Sequence, residues 1–237
     1  MKKASSRGRP LPLAGPRPPK VYVVTEPDEI RGIYETWGAC KAVVSGVAGA
    51  RFQAVSSRET AEAMLRGDPV RLTPGSWAFV DGNHMGGIGV VLVEAGADAP
   101  RVVRELGTTV YDVFRGAGIA GLESRPKITA AVDRLRNIAA ELGALYAALG
   151  LVPPGTAVTV VHDYEGVGAW LERRWKVKDP LVAAIVEGCR TLAASRRLAL
   201  SFRRQRGHES THAGRNEFAA YNARADRLAA DAALRDP

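Results

Sequence analysis

From Val21 the chain alternates apolar and polar positions through "VYVVT", the two-residue period of a half-buried strand. After a turn, "IYETWGACKAVVSGV" begins with strand character and continues with helical spacing. A short strand "ARFQAV" comes next, then an amphipathic "SRETAEAMLRG" that opens on Ser57 with Glu59 and Glu62 behind it, as a helix start prefers. This order predicts a small α+β unit of ββαβα type over residues 20–67. The following "GDPVRLTPGS" carries two Gly and two Pro, which reads as a linker over residues 68–76.

Residues 77–237 follow a different pattern. Strands are predicted at "WAFVD", "GIGVVLVE" and "RVVRELGTT", then an irregular stretch, then a helix at "RNIAAELGALYAALG". A buried strand "AVTVVHD", helices at "GVGAWLERR" and "DPLVAAIVEGCRTLAAS", a strand "LALSFRRQ", a polar loop and a last helix "NEFAAYNARADRLAADAAL" complete the chain. A strand meander followed by helices and further strands predicts an α/β domain with a mixed five-stranded sheet and flanking helices. No internal repeat is evident.

Composition narrows the partners. Of 237 residues, 46% are hydrophobic and 24% charged, and no apolar run approaches the roughly 20 residues needed to span a bilayer, so no membrane association is expected. Residues 1–19 are rich in Pro, Gly, Ser and Arg with few large apolar groups, which reads as a flexible basic arm without a signal-peptide core. Cys40 and Cys189 support neither a disulfide framework nor a cysteine zinc site, and a reducing cytoplasmic location is expected. A net charge of +8 favours a polyanionic partner, although residues 1–20 supply six of the lysines and arginines and no acid.

Four acids stand out. Asp81 ends the strand "WAFVD" and Asp163 ends "AVTVVHD"; if the two strands are parallel neighbours, both carboxylates reach one sheet edge and repel unless a cation lies between them. Glu141 sits beside an apolar stripe of Ile138, Leu142, Leu145 and Leu149, and Asp226 precedes Leu228 on the alanine-rich last helix. Singly, such acids cap turns or face solvent; together, their hard oxygen donors suit Mg²⁺, with Mn²⁺ as a substitute. The glycine-rich "GNHMGGIG" lacks the Gly-Lys-Ser/Thr of a phosphate-binding loop, and a strand follows it. It is read instead as a tight hairpin whose glycines let a substrate backbone approach.

With Asp81 in "FVDG", Glu141 in "RNIAAEL", Asp163 in "VVHDYEGV" and Asp226 in "ARADRLA", the second domain resembles the catalytic domain of type 1 ribonuclease H. The stretch "DYEGVGAWLERRWKVKDP" is similar to bacterial members. The resemblance implies a ribonuclease H-like sheet, hydrolysis of the RNA strand of RNA/DNA hybrids to 3′-hydroxyl and 5′-phosphate ends, and two Mg²⁺ held by Asp81, Glu141, Asp163 and Asp226. It also implies a loop histidine that assists proton movement or product release, His208 by its "GH-x-S" context with His212 as the alternative. Asn137 matches a position that contacts the nucleic-acid backbone. His84 in the hairpin is read as incidental and His162 as a packing residue. The long basic protrusion that some relatives use to grip substrate is absent.

The first unit resembles the hybrid-binding domain that precedes many ribonucleases H. Its matching aromatic positions are Tyr22, Trp37 and Phe52, whose faces can stack on sugars or bases of any sequence. Tyr22 is read equally as core or contact. Relatives often carry two lysines after the phenylalanine; this chain has Gln53 and Ala54, and Arg51 and the basic arm are the candidates to compensate. An RNA/DNA hybrid is therefore the expected partner, double-stranded RNA the alternative, and a monomer the expected state. Two other readings stay open: a non-catalytic hybrid or double-stranded RNA binder, and a nuclease of the same fold acting on Holliday junctions or transposon ends.

Overall fold

A computed structural model of the chain describes residues 20–55, 57–66, 71–205 and 216–234. The chain divides into two units, the first ending at Arg66. The basic arm expected over residues 1–19 lies outside the described residues, as do His208 and His212.

In the first unit, strands β1 (Val21–Glu26), β2 (Gly32–Tyr34) and β3 (Arg51–Val55) pair antiparallel in the order β2-β1-β3. Helix α1 (Trp37–Val44) precedes β3 and helix α2 (Arg58–Arg66) follows it, which is the predicted ββαβα order. Register places Val21, Val23 and Val55 on one face, where they close an apolar cluster with Ala61 of α2. Tyr22, Val24, Phe52 and Ala54 therefore share the opposite face. The Thr36 hydroxyl caps α1 by accepting from the Ala39 N–H at 3.2 Å, and this starts the helix at Trp37.

The second unit is built on strands β4 (Gly75–Gly82), β5 (Gly87–Ala95) and β6 (Arg101–Thr109), an antiparallel meander. Helices α3 (Val110–Phe114), α4 (Arg125–Leu135) and α5 (Asn137–Leu151) lead to β7 (Ala157–His162). Then come α6 (Glu165–Leu171), α7 (Pro180–Ser195), β8 (Ala199–Arg204) and α8 (Glu217–Ala233). The sheet order is β6-β5-β4-β7-β8, with β7 parallel to both β4 and β8. This is the predicted α/β architecture with a mixed five-stranded sheet. Alternation along the strands divides the core: Ala78, Val80, Ile88 and Val90 pack toward α5 and α7, whereas Trp77, Phe79, Val91 and Val93 meet Phe218 and Ala225 of α8. None of the described helices is long and apolar enough to cross a membrane.

Three features depart from the sequence reading. The stretch expected to be irregular holds α3, capped by Thr109, and α4, which starts after Ser124 with Pro126 in its first turn. Glycines 116, 118 and 121 with positive φ break the segment between the two helices, which masks them as loop. Within the expected linker, Leu72 is buried, its N–H donates to the Glu217 carboxylate at 2.7 Å, and β4 already starts at Gly75. Finally, α5 is buried on nearly all sides rather than along one stripe, because it lies between the sheet and α7; Ile138 is only half-buried.

Candidate functional site

The parallel pairing of β4 with β7 decides where the two strand-end acids meet. Ser76 opposes Val158 and Phe79 opposes Val161, and the same offset carried forward sets Asp81 opposite Asp163. Cross-strand from Asp81 is Gly89, whose open side faces α8, so Asp81 leaves the sheet on the α8 face. Glu141 comes from α5 on the other face. It reaches the sheet edge because Gly82 carries no side chain: a Cβ there would collide with the backbone of Ala140 and Glu141.

Asp81, Glu141 and Asp163 each bring one carboxylate oxygen to within 4.8 Å of the others. Asp81 and Glu141 are buried, and Asp163 is half-buried. Glu141 is only 3% exposed, and among the described residues its buried Oε2 has no hydrogen-bond partner. Its carboxyl is held well above the ordinary range, first by burial, then by the nearby Asp163 carboxylate and the Asp81 charge. Arg204 steadies the turn after β7: its Nε donates to the Asp163 carbonyl at 3.1 Å and its Nη1 to Glu165 at 2.8 Å.

These donors fit a hard divalent cation. The set is all oxygen, three acids converge, and among the described residues the buried Glu141 Oε2 has no hydrogen-bond partner. Asp226 stands apart from the tight trio: it is exposed on α8 rather than set against the sheet as expected. Its backbone nonetheless lies near Asp81, because the preceding Ala225 carbonyl sits directly over Gly89. Asn222, one turn earlier, is buried, and its Oδ1 has no hydrogen-bond partner among the described residues.

The histidines sort as follows. His162 is buried, with Nδ1 2.9 Å from the Tyr164 carbonyl and its ring edge-on to Phe202, and burial pushes its pKa down to about 4. This matches the packing role expected of it. His84 is exposed in the hairpin turn. His208 and His212, the loop candidates, lie outside the described residues.

The hairpin glycines serve a different purpose from the one expected. Gly82 abuts α5, Gly87 and Gly89 abut α8, and Gly86 takes φ 85° beside the Val110 side chain. Their missing side chains make room for helices rather than for a substrate backbone.

On the first unit, Trp37 lies between Tyr22 and Phe52, with ring centroids 5.6 Å and 5.5 Å away. All three sit away from the Val21–Val23–Val55 cluster, and Trp37 remains 43% exposed. Ala54 shares their face, opposite Tyr22, while Gln53 points to the other side. Arg51 is exposed and pairs with Glu26 at 3.0 Å. Asn137 is exposed at the first position of α5.

A further aromatic was not singled out from sequence. Trp175 is 44% exposed beside a cleft of about 660 Å³ that also holds Ile138, Arg174, Lys176 and Lys178. Its ring packs edge-on to Trp170. The aromatic set among basic residues in "RRWKVK" was the available signal.

Residues 20–65 match the family model described as the ribonuclease H1 N-terminal domain. That segment carries Tyr22, Trp37, Arg51 and Phe52. Among solved structures, the chain is similar to RNase H1 from the halophilic archaeon Halobacterium salinarum, at 21% identity over 68% of this chain and 98% of that one, with a TM-score of 0.42. LC11-RNase H1, isolated from compost by a metagenomic approach, matches at 20% identity over 69% of this chain and 98% of that one, with a TM-score of 0.43. The N-terminal RNase H domain of a Mycobacterium tuberculosis protein matches at 22% identity over 67% and 94%, with a TM-score of 0.41.

Proposed function

We propose that this chain is a metal-dependent endoribonuclease of the ribonuclease H type, which hydrolyses the RNA strand of RNA/DNA hybrids and leaves 3′-hydroxyl and 5′-phosphate ends. The observation that carries this reading is the meeting of Asp81, Glu141 and Asp163 at one sheet edge, where a buried Glu141 oxygen has no hydrogen-bond partner among the described residues. The match of residues 20–65 to a ribonuclease H1 N-terminal domain supports the choice of substrate.

Asp81, Glu141 and Asp163, with Asp226, hold divalent cations, Mg²⁺ or Mn²⁺. When bound, a pair of such cations neutralises charge on the reacting phosphate and favours in-line attack by water. The protein's own contribution is rigidity: two acids are fixed by strand register, and the third by a helix lying directly on the backbone of Gly82. Asn137 and the basic surface around Trp175 contact the nucleic-acid backbone. Hydrogen bonds to the 2′-hydroxyl from backbone groups near the hairpin and from Asn137 select RNA. His208 moves a proton at the leaving group. Trp37, flanked by Tyr22 and Phe52, stacks on the hybrid without reading its sequence.

The test is a Mg²⁺-dependent assay on an RNA/DNA hybrid labelled on the RNA strand, run beside duplex DNA and duplex RNA. Cleavage confined to RNA in the hybrid is expected. Binding without cleavage, or cleavage of duplex DNA instead, would overturn the reading.

A further inference from the structure

Helix α8 rests on the β4–β5 hairpin through two of its backbone carbonyls. The Ala225 carbonyl lies against Gly89 and the Ala229 carbonyl against Gly87; a Cβ on either glycine would overlap the oxygen above it. The same Ala229 carbonyl accepts from Asn83 Nδ2 at 3.0 Å. Asn83 has already spent its Oδ1 on the hairpin, accepting from the Met85 and Gly87 N–H groups at 3.0 Å each. One side chain therefore folds the turn and fastens it to the helix.

Asp226 lies in the single helical turn between those two carbonyl contacts, one residue after Ala225 and three before Ala229. Asp81 lies on the strand entering the hairpin, cross-strand from Gly89. We infer that Asn83, seated with Gly87 and Gly89, is a positioning residue for Asp226: it fixes the turn of α8 that carries Asp226 at the level of Asp81, so that Asp226 joins the cation site of Asp81, Glu141 and Asp163. This rests on the proposed role of those acids. Asn83 touches neither cation nor substrate in this scheme and acts only through the helix.

The consequence is a specific non-additivity. Groups that act through one another give coupled losses, whereas independent groups add. Mn²⁺ binding to the full chain is measured by titration calorimetry for wild type, Asn83→Ala, Asp226→Asn and the double variant, with circular dichroism to verify folding. Asn83→Ala is expected to weaken Mn²⁺ binding by about tenfold, Asp226→Asn by at least as much, and the double variant no more than Asp226→Asn alone. Gly89→Ala, which lifts the same turn, is expected to reproduce the Asn83→Ala loss; if it fails to fold, the Asn83→Ala cycle decides alone. Additive losses, or an Asn83→Ala protein with wild-type Mn²⁺ affinity, overturn the inference. Hybrid cleavage by the wild type is scored separately: a protein that shows the coupled losses but cuts no hybrid retains the positioning role and loses the nuclease reading.

Discussion

Glu141, on helix α5, and Asp163, just beyond strand β7, bring carboxylate oxygens to within 4.8 Å of each other at the edge of the sheet. Burial and the neighbouring Asp163 and Asp81 charges keep the Glu141 carboxyl protonated when no cation is present. A divalent cation held there, as proposed, would take the place of that proton, so the same contact would govern both the stability of the free protein and its response to metal.

Replacing the ionisable Glu141 carboxyl with a neutral amide should stabilise the metal-free protein at neutral pH. Its folded-state pKa lies above the unfolded value, so the folded chain holds the extra proton. The associated stability is complete below about pH 4.3 and is lost as pH rises, by about 1.4 kcal/mol per unit of separation. In EDTA, Glu141→Gln is expected to unfold at a higher temperature than wild type at pH 7, with the gap closing toward pH 4. Added Mg²⁺ should raise the wild-type midpoint more than the variant's. A wild type no less stable than the variant at neutral pH would contradict this account.

Asp163→Asn should separate chemistry from binding. It keeps the size of the side chain but removes a cation donor, so hybrid cleavage in Mg²⁺ should fall by at least a thousandfold, about 4 kcal/mol. Affinity for the hybrid should stay within a factor of about 3, because the aromatic and basic surfaces are untouched. Quenched-flow cleavage and fluorescence anisotropy on one hybrid measure both. Near-normal cleavage by this variant would falsify the cation role of Asp163.

Trp37→Ala should do the reverse. Base or sugar stacking on an aromatic face contributes about 1–3 kcal/mol, so hybrid affinity should drop by about tenfold or more. With Trp37 43% exposed and outside the apolar cluster under α2, the thermal midpoint should move little. At saturating hybrid, turnover should match wild type. Unchanged anisotropy titrations would remove Trp37 from the binding surface.

Arg136, which joins α4 to α5, has φ 49° and ψ −127°, a backbone conformation that a residue with a Cβ adopts only under strain. Arg136→Gly should relieve that strain and raise stability by about 1 kcal/mol in urea unfolding. A loss of stability would mean that the arginine side chain contributes more than its backbone costs.

The sequence by itself determined the element order of the first unit and the strand order of the second, because period-2 alternation in "VYVVT" and "WAFVD" and turn residues such as those of "GNHMGGIG" act over a few neighbours. It also marked Asp81 and Asp163 as strand-end acids, since an acid ending an apolar strand is a local anomaly. It hid α3 and α4 behind glycines 116, 118 and 121, and it assigned the hairpin glycines to a substrate rather than to helices. Only the tertiary structure decided that β7 runs parallel beside β4, which sets Asp163 opposite Asp81 across 82 residues of chain. It also decided that Glu141 is buried at that edge, and that Asp226 stands outside the trio on a helix pinned by Asn83. Those outcomes depend on strand register and on how closely a helix can approach a particular glycine. Both are distances between segments remote in sequence, and no local pattern encodes them.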